Sequence, residues 1–457
     1  MNRDMTKGSP WGLIIRFMIP LMIGNVFQQF YNMVDTIIVG RYVGVKALAA
    51  VGATGTIMFL ILGFMSGLTG GFTVITAQKF GAGDECGVKK SVTNGALLAV
   101  IITVIMMVLS MSSMRHLLKL MHTPDDIFDM SYTYIMILFG GMFATVLYNM
   151  ASGLLRAVGN SIVPLVTLVC SAILNIVLDI ILIAYAGMGV AGAALATVVS
   201  QFVSGAACLV YVSRKVKILM PSREHWVFDE SFYKPQLLVG IPMALQFSIT
   251  AIGSIILQGS LNLLGSVVIA ANTAANKVDM LFMQCFLAIG QTMATYTAQN
   301  TGVNDVDRIR KGTRAATVIT CFFAIAMAVI VINLVRPVVS FFSADITEEM
   351  LGYAEIYMKT VASFYIPLGL IFVFRNVQQG AGYSFMAMAA GIMELIGRSI
   401  IAMIGAHYLS YNIIVYASPA AWILADIFLI STYFVVIKRL NAIGNKNAVA
   451  NTEAAES

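Results

Sequence analysis

The chain has 457 residues, of which 59% are hydrophobic and only 11% charged, and its mean hydropathy is +0.86. That balance excludes an ordinary soluble domain, which has too little interior for so much apolar surface. The formal charge of +6 is accounted for by basic residues gathered on one side of a membrane, so nucleic acid is not implied as a partner.

Apolar stretches of about 20 residues, the length that spans a bilayer as helix, begin near Trp11, Lys46, Val88, Met130, Ile162, Val190, Tyr233, Ala271, Ile309, Gly352, Ser384 and Ile413. The first follows Arg3 and Lys7, but its length and the lack of an Ala-x-Ala-like exit make it a retained helix rather than a signal peptide. It carries Asp35, and a carboxylate inside a membrane span costs roughly 2.5 to 3.5 kcal/mol on insertion scales, so such residues usually have a task. In the second span, Gly63 and Gly67 with Gly70 and Gly71 suit close helix packing rather than dimerisation. The fifth holds Asn175 and Asp179, four apart and so on one helical face. Gly187-Met188-Gly189-Val190-Ala191-Gly192 matches a dinucleotide-binding pattern, yet no strand precedes it and no acidic ribose partner follows, so it reads as an outer hairpin. Thr197 lies in the sixth span.

The polar stretch 214–234 is the expected linker between lobes at 1–213 and 235–440, and 441–457 forms a polar tail expected to lack order. In the second half, Glu355 is expected to pair locally with Lys359, and Glu394 with Arg398 as a structural ion pair. Lys277, Asp279 and Asp426 are further charges within spans, with no partner assigned from sequence. Five cysteines (Cys86, Cys170, Cys208, Cys285, Cys321) and four histidines (His116, His122, His225, His407) show neither disulfide-framework nor metal-ligand spacing.

Lysine and arginine set the orientation. One set of loops and tails carries most of them, from Arg3 and Lys7 through Lys89, Lys90, Arg156, Arg214, Lys217, Arg310, Lys311 and Arg375 to Lys438 and Arg439. The opposite set has only Arg41, Lys46, Arg115, Lys119 and Arg336, so both termini are expected in the cytoplasm.

An internal repeat runs through the chain. Ile19-Pro20 returns as Ile241-Pro242, a spacing of 222, Thr76-Ala77-Gln78 as Thr297-Ala298-Gln299, a spacing of 221, and Gly159 as Gly382, a spacing of 223. Six spans separate equivalent points, so both halves enter the membrane in the same sense, giving two six-helix lobes related by a parallel pseudo-twofold, as in alternating-access carriers. The expected fold class is therefore an all-α integral membrane protein of about twelve transmembrane helices.

Depth joins the polar residues of the first lobe. Asp35 lies five residues from Gly40 at the outer end of span one, Asp179 seven from Ala186 at the end of span five, and Thr197 seven beyond Val190. At 1.5 Å per residue all three sit roughly 8 to 10 Å below the outer surface. Two carboxylates, an amide and a hydroxyl make an all-oxygen site suited to a hard monovalent cation such as Na+ or to a shared proton.

The motifs together resemble the multidrug and toxic compound extrusion (MATE) family, over essentially all twelve spans. Carrying the resemblance are Ile19-Pro20 with Tyr31-Asn32-Met33-Val34-Asp35, Thr76-Ala77-Gln78 with Gly81, Leu155-Arg156-Ala157-Val158-Gly159, and its echo Gln379-Gly380-Ala381-Gly382. The resemblance implies an ion-coupling site at Asp35, Asn175, Asp179 and Thr197. Glu394 and Arg398 are similar to a Glu-x-x-x-Arg of the DinF-like bacterial branch. A sodium site built on acids of spans seven and ten, as in other branches, is not matched, because 239–264 contains no acid.

The expected function is secondary active efflux of organic, often cationic, compounds against inward H+ or Na+, by a multi-pass monomer of the cell inner membrane that is not an enzyme and carries no cofactor. Membrane lipids and small organic substrates are the expected partners. Substrate contact is expected in the cleft between lobes from Gln246, Asn262, Gln284, Asn376 and Gln378, with Gln258 and Gln291 as further amides, and 29 methionines would furnish a pliable wall. No Walker A motif is present, so ATP does not act through this chain. The alternative is a lipid-linked precursor flippase of the same superfamily, which calls for a cluster of arginine and lysine facing pyrophosphate.

Overall fold

The computed structural model describes residues 4–121, 123–342 and 347–456; His122 lies outside them. The first half contains α1 (Pro10–Tyr42), α2 (Val45–Gly81), α3 (Glu85–Leu120), α4 (Asp125–Gly140), α5 (Met142–Ala157), α6 (Ile162–Asp179), a π segment (Ile180–Tyr185) and α7 (Gly189–Lys215). Two 3-10 turns, at Lys217–Leu219 and Arg223–His225, lead to α8 (Glu230–Asn262), α9 (Ser266–Gly302) and α10 (Val306–Phe342). Then follow α11 (Glu348–Ser363), α12 (Tyr365–Gly380), α13 (Ser384–His407), the short α14 (Tyr411–Ile414) and α15 (Ala417–Glu456).

Among the described residues, nine helices are long and apolar enough to cross a membrane. Two more crossings come from bent pairs, α4 with α5 at 45° and α11 with α12 at 50°. The 37-residue α9 completes the expected twelve, its hydropathy diluted by Asn272, Asn276, Lys277, Asp279 and Gln284. The lipid-facing surface is written plainly on α3, where Val100, Ile101, Val104, Ile105 and Val108 are each about half exposed.

The sequence repeat is also a repeat of backbone. The partners α2 and α9 are each 37 residues, and α4, α5, α11 and α12 are each 16. Left-handed residues recur at the same joints: Gly44 (φ 107°) with Gly265 (96°), and Gly159 (78°) with Gly382 (89°). Where the first half has Gly83 and Gly187, the second makes the same turns with Asn304 (φ 56°) and Leu409 (48°), the latter an unusual residue for this conformation. Matching caps open the third helix of each half. Asp84 Oδ1 accepts from Gly87 N at 2.8 Å, and Asp305 Oδ1 accepts from Arg308 N at 2.9 Å. The Gly87 N–H, then Lys79, holds the Asp84 carboxyl below the usual carboxylate range.

The chain sorts into two compact units: Asp4 with Ile23–Phe247, and Met5–Met22 with Ser248–Ser457. The divisions fall inside α1 and α8, shortly after Pro20 and Pro242, not in the 214–234 segment. Proline removes a hydrogen bond from the helix interior, and both helices change unit just beyond that point. The 214–234 segment is instead strapped onto α3 within unit 1. Thr93 Oγ1 donates to His225 O at 2.8 Å, Asn94 Nδ2 to Val227 O at 3.1 Å, and Asp229 N to Asn94 Oδ1 at 3.0 Å. Lys90 reaches Asp229 at 3.4 Å, and the hydroxyl and N–H of Ser231, then Lys90, hold that carboxyl below its ordinary range.

In unit 1 the core joins Met65, Leu68 and Phe72 of α2 to Leu98, Ile135, Phe139 and Val146, and to Ala244 of α8. The glycine face of α2 lies on α8: a Cβ on Gly71 would come within 2.3 Å of Gly240 Cα, and one on Gly67 within 2.6 Å of Met243 O. Lipid tails are as apolar as these side chains, so such close backbone approach is what gives one packing partner an advantage over lipid. The polar tail differs from expectation, since α15 carries the backbone on as helix to Glu456.

Candidate ion-coupling site

Tyr31 and Asp35 stand one turn apart on α1, Tyr134 on α4, Asn175 and Asp179 on the last two turns of α6, and Thr197 on α7. All belong to unit 1. Asn175 and Asp179 are completely buried, whereas Asp35 and Thr197 are half-buried. Asn175 bridges two helices: with its amide oriented to satisfy both ends, it donates to Asp179 Oδ2 at 2.8 Å and accepts from Thr197 N at 3.1 Å. The Thr197 hydroxyl donates to Ala193 O at 3.1 Å and lies within hydrogen-bond reach of the Tyr31 phenol. Thus the four residues expected from sequence are brought together by α1, α6 and α7.

The two carboxyls lie within hydrogen-bond reach of each other. Yet Oδ1 of each is buried with no partner, and neither acid faces a basic side chain among the described residues. Two acceptor groups aimed at each other in a low-dielectric interior need something positive between them. A proton shared by the pair, or a small cation held by carboxyl and hydroxyl oxygens, satisfies that need.

Two features were not legible from residue type alone. Tyr31 and Tyr134 lie near the site, both within electrostatic reach of Asp35 and Asp179. Tyr31 lies four residues before Asp35, and that spacing was the available signal. The other feature is the π segment, which starts directly after Asp179 and is marked by Ala186 N donating to Ile181 O at 2.9 Å. Single π turns widen a helix locally and favour functional sites. The repeat shows how local this feature is, because α13, the equivalent of α6 plus the π segment, is α-helical throughout its 24 residues. At a spacing of 222 the second half has Leu257, Gly397, Ile401 and Pro419 in place of Asp35, Asn175, Asp179 and Thr197. The acidic cluster therefore belongs to unit 1 only.

Unit 2 has charges of its own. Arg375, which the loop reading places with the cytoplasmic cations, is buried within α12 and is the main partner of Glu394. Arg398 approaches Glu394 from one turn away at 3.9 Å. The Glu394 and Arg398 pair is therefore the weaker half of a three-residue arrangement. Asp279 accepts from Tyr365 Oη at 2.8 Å, Asp426 faces Arg375, and Lys277 is exposed. Glu355 meets Lys359 at 2.6 Å as expected and also Arg336 at 2.8 Å.

The amides proposed for substrate contact are dispersed. Gln246 is half-buried in unit 1, and the other four lie in unit 2. Asn262 is exposed and accepts from Gln258 at 2.9 Å, Gln284 donates to Met280 O at 3.0 Å, and Asn376 donates to Phe372 O at 2.8 Å. Gln378 is fully buried, and its amide donates to Leu429 O at 2.7 Å and Thr432 Oγ1 at 3.0 Å, tying α12 to α15. That amide is engaged within the unit and is poorly placed to bind a substrate.

The MatE family model matches this chain twice, over residues 20–181 and 242–404. The probable multidrug resistance protein YpnP of Bacillus subtilis (strain 168) is 27% identical over 393 residues, covering 86% of this chain and 87% of that protein. The multidrug export protein MepA of Staphylococcus saprophyticus is 23% identical over 398 residues, covering 85% and 86%. Among solved structures, an outward-facing multidrug resistance transporter of the MOP superfamily superposes with a TM-score of 0.90 at 24% identity, covering 96% of this chain and 99% of that one. A MATE protein in complex with MaL6 gives 0.89 at 23% identity, covering 97% and 99%. At such identity these structures speak for the fold.

Proposed function

The chain belongs to the MATE family of membrane transporters, and from that premise we propose that it is a secondary active exporter of small organic compounds, driven by inward H+ or Na+ at Asp35 and Asp179. The observation that carries the proposal is the facing pair of carboxyls, each with an oxygen lacking any donor and neither with a basic partner among the described residues. A fixed structural pair would be compensated by arginine or lysine, as Glu394 is. An uncompensated pair suits a positive charge that comes and goes.

In this reading the ion enters from the outer side and is held by the carboxyls, with the Thr197 hydroxyl at hand. Asn175 keeps Asp179 oriented while reporting its state to α7 through Thr197 N. The π segment gives α6 a locally loosened end at the charge that titrates or binds. Inward release resets the carrier, and each charge moved adds about 2.3 kcal/mol per 100 mV of membrane potential. Basic loops support cytoplasmic termini, and two six-helix halves in one chain support action as a monomer. Within the family, Glu394 and Arg398 support a place near the DinF-like bacterial branch.

The flippase alternative gains two buried cations from unit 2, Arg375 and Arg398, but Glu394 lies against both, so these two do not form a bare cationic cluster for pyrophosphate. The test is efflux of a fluorescent organic cation from proteoliposomes of the full chain, under an imposed proton gradient, an imposed sodium gradient, or neither. Acceleration by one gradient supports the proposal and names the ion. No acceleration by either, together with movement of a lipid pyrophosphate between leaflets, contradicts it.

A further inference from the structure

Unit 2 buries three acids that nothing in the coupling scheme uses, Asp279, Glu394 and Asp426, and the last of them stands apart. Asp426, on α15, is 7% exposed, yet it makes no hydrogen bond or ion pair with any described residue, and its Oδ1 is fully enclosed. A carboxylate left this way is costly, so its surroundings deserve a complete account. The charged group facing it is Arg375 of α12. From α13 come Glu394 and Arg398, both 8% exposed, and beyond Arg398 stands Tyr357 of α11, itself adjacent to Asp279 of α9. The cations of α10 that approach α15, Arg310 and Arg314, do so at Tyr433, two turns further on.

Within this group Arg375 has a choice. It donates through Nη2 to Glu394 while its Nε is buried with no acceptor, and Asp426 is the neighbouring acid without a donor. Glu394 would remain compensated if Arg375 turned away, because Arg398 already stands 3.9 Å from its other oxygen. Room for Arg398 is built in, since a Cβ on Gly253 would come within 2.8 Å of its Nη1. One arginine between two acids, with a second arginine in reserve, has two discrete pairings.

We propose that Asp426 is a second proton-binding site, in which Arg375 exchanges its pairing between Glu394 and Asp426 as Asp426 gains or loses its proton. With the proton on Asp426, Arg375 serves Glu394. With the proton gone, Arg375 serves Asp426 and Arg398 takes over Glu394, so each carboxylate keeps one guanidinium. The step moves a proton and a hydrogen bond and needs no other reactant. At the repeat spacings the first half has Ser152, Ala172 and Ser204 in place of Arg375, Glu394 and Asp426, so the device belongs to unit 2 as the acidic pair belongs to unit 1.

The test is infrared difference spectroscopy of the full chain in lipid nanodiscs on a pH step, in an Asp35→Asn, Asp179→Asn background that silences the unit 1 pair. A protonated-carboxyl band that responds to the step should remain there, should vanish on adding Asp426→Asn, and should return at a shifted position with Asp426→Glu. Arg375→Lys should move the midpoint of that band. A band unchanged by Asp426→Asn overturns the proposal, as does Asp426→Asn lowering thermal stability while the background already lacks any responsive band. Efflux by wild type is read separately, so absence of any pH-responsive carboxyl band in the background, with ion-driven efflux by wild type intact, would sink this site and leave the transporter reading standing.

Discussion

Asn175 shows how much a single amide does in this molecule. It satisfies one oxygen of Asp179 and accepts from Thr197 N, so Asn175→Ala leaves a buried carboxyl short of a donor. The expected cost is about 1 to 3 kcal/mol, the usual penalty for an unsatisfied buried group. Thermal unfolding in detergent checks it, and an unchanged midpoint would mean the bridge is not made. At the start of the third helix, Asp84 caps α3, and Asp84→Ala should cost about 0.5 to 2 kcal/mol at neutral pH. Because the fold depresses the Asp84 carboxyl, its contribution is present above the unfolded value and is lost as pH falls through the folded one. The two proteins should therefore converge in stability only in acid, below the usual carboxylate range; convergence near pH 7 would contradict the cap. That Asp35, Asn175, Asp179 and Thr197 come together was legible in the sequence, because a bilayer makes charge conspicuous. Tyr31 and Tyr134 were not, since an aromatic in a membrane helix looks like ordinary filling until its neighbours are known. Arg375 was misplaced for a related reason: it lies near a span boundary, and only the fold shows that Glu394 is waiting for it inside.

For helices, the glycines of α2 make the sharpest claim. Gly71 leaves no space for a methyl against Gly240, so Gly71→Ala should destabilise by roughly 1 to 3 kcal/mol through overpacking. Gly55 on the same helix has nothing within 4 Å of a Cβ, so Gly55→Ala should be neutral or slightly stabilising. The yield of folded protein from membranes and its thermal midpoint distinguish the two, and equal effects would remove close packing as the reason for the glycines. Span existence was readable from apolar length, and the Gly-x-x-x-Gly spacing foretold the contact face. The bends of α4 with α5 and α11 with α12, and the π segment, were not readable. They are choices of backbone path that the same apolar residues permit, and they are fixed only by what packs alongside.

Across the whole chain, orientation rests on the loop cations, and it is open to direct test. In a cysteine-free background, single cysteines at Lys217 and at Tyr408 should be labelled by an impermeant maleimide from opposite sides of the membrane, with Lys217 reached only after permeabilising cells. Labelling of Lys217 in intact cells would reverse the assignment. The twofold repeat was visible in sequence through Ile19-Pro20 and Thr76-Ala77-Gln78, and the structure extends it to helix lengths and turn conformations. Where compact packing divides the chain was hidden, because the divisions fall inside α1 and α8, while the polar segment that looks like a linker is strapped onto α3. The repeat supplies two similar scaffolds, and the chemistry differs between them: an acidic pair without a basic partner in unit 1, and in unit 2 a buried group of arginines and acids in which Glu394 is compensated and Asp426 is not. The central claim is that the unit 1 pair couples ion entry to export, which separates coupling from transport itself. The most direct measurement follows a fluorescent organic cation in proteoliposomes, uphill under the effective ion gradient and downhill without one, for wild type, Asp35→Asn and Asp179→Asn. The account predicts that both variants lose uphill movement and keep downhill equilibration. Uphill movement at the wild-type rate in either variant would contradict it.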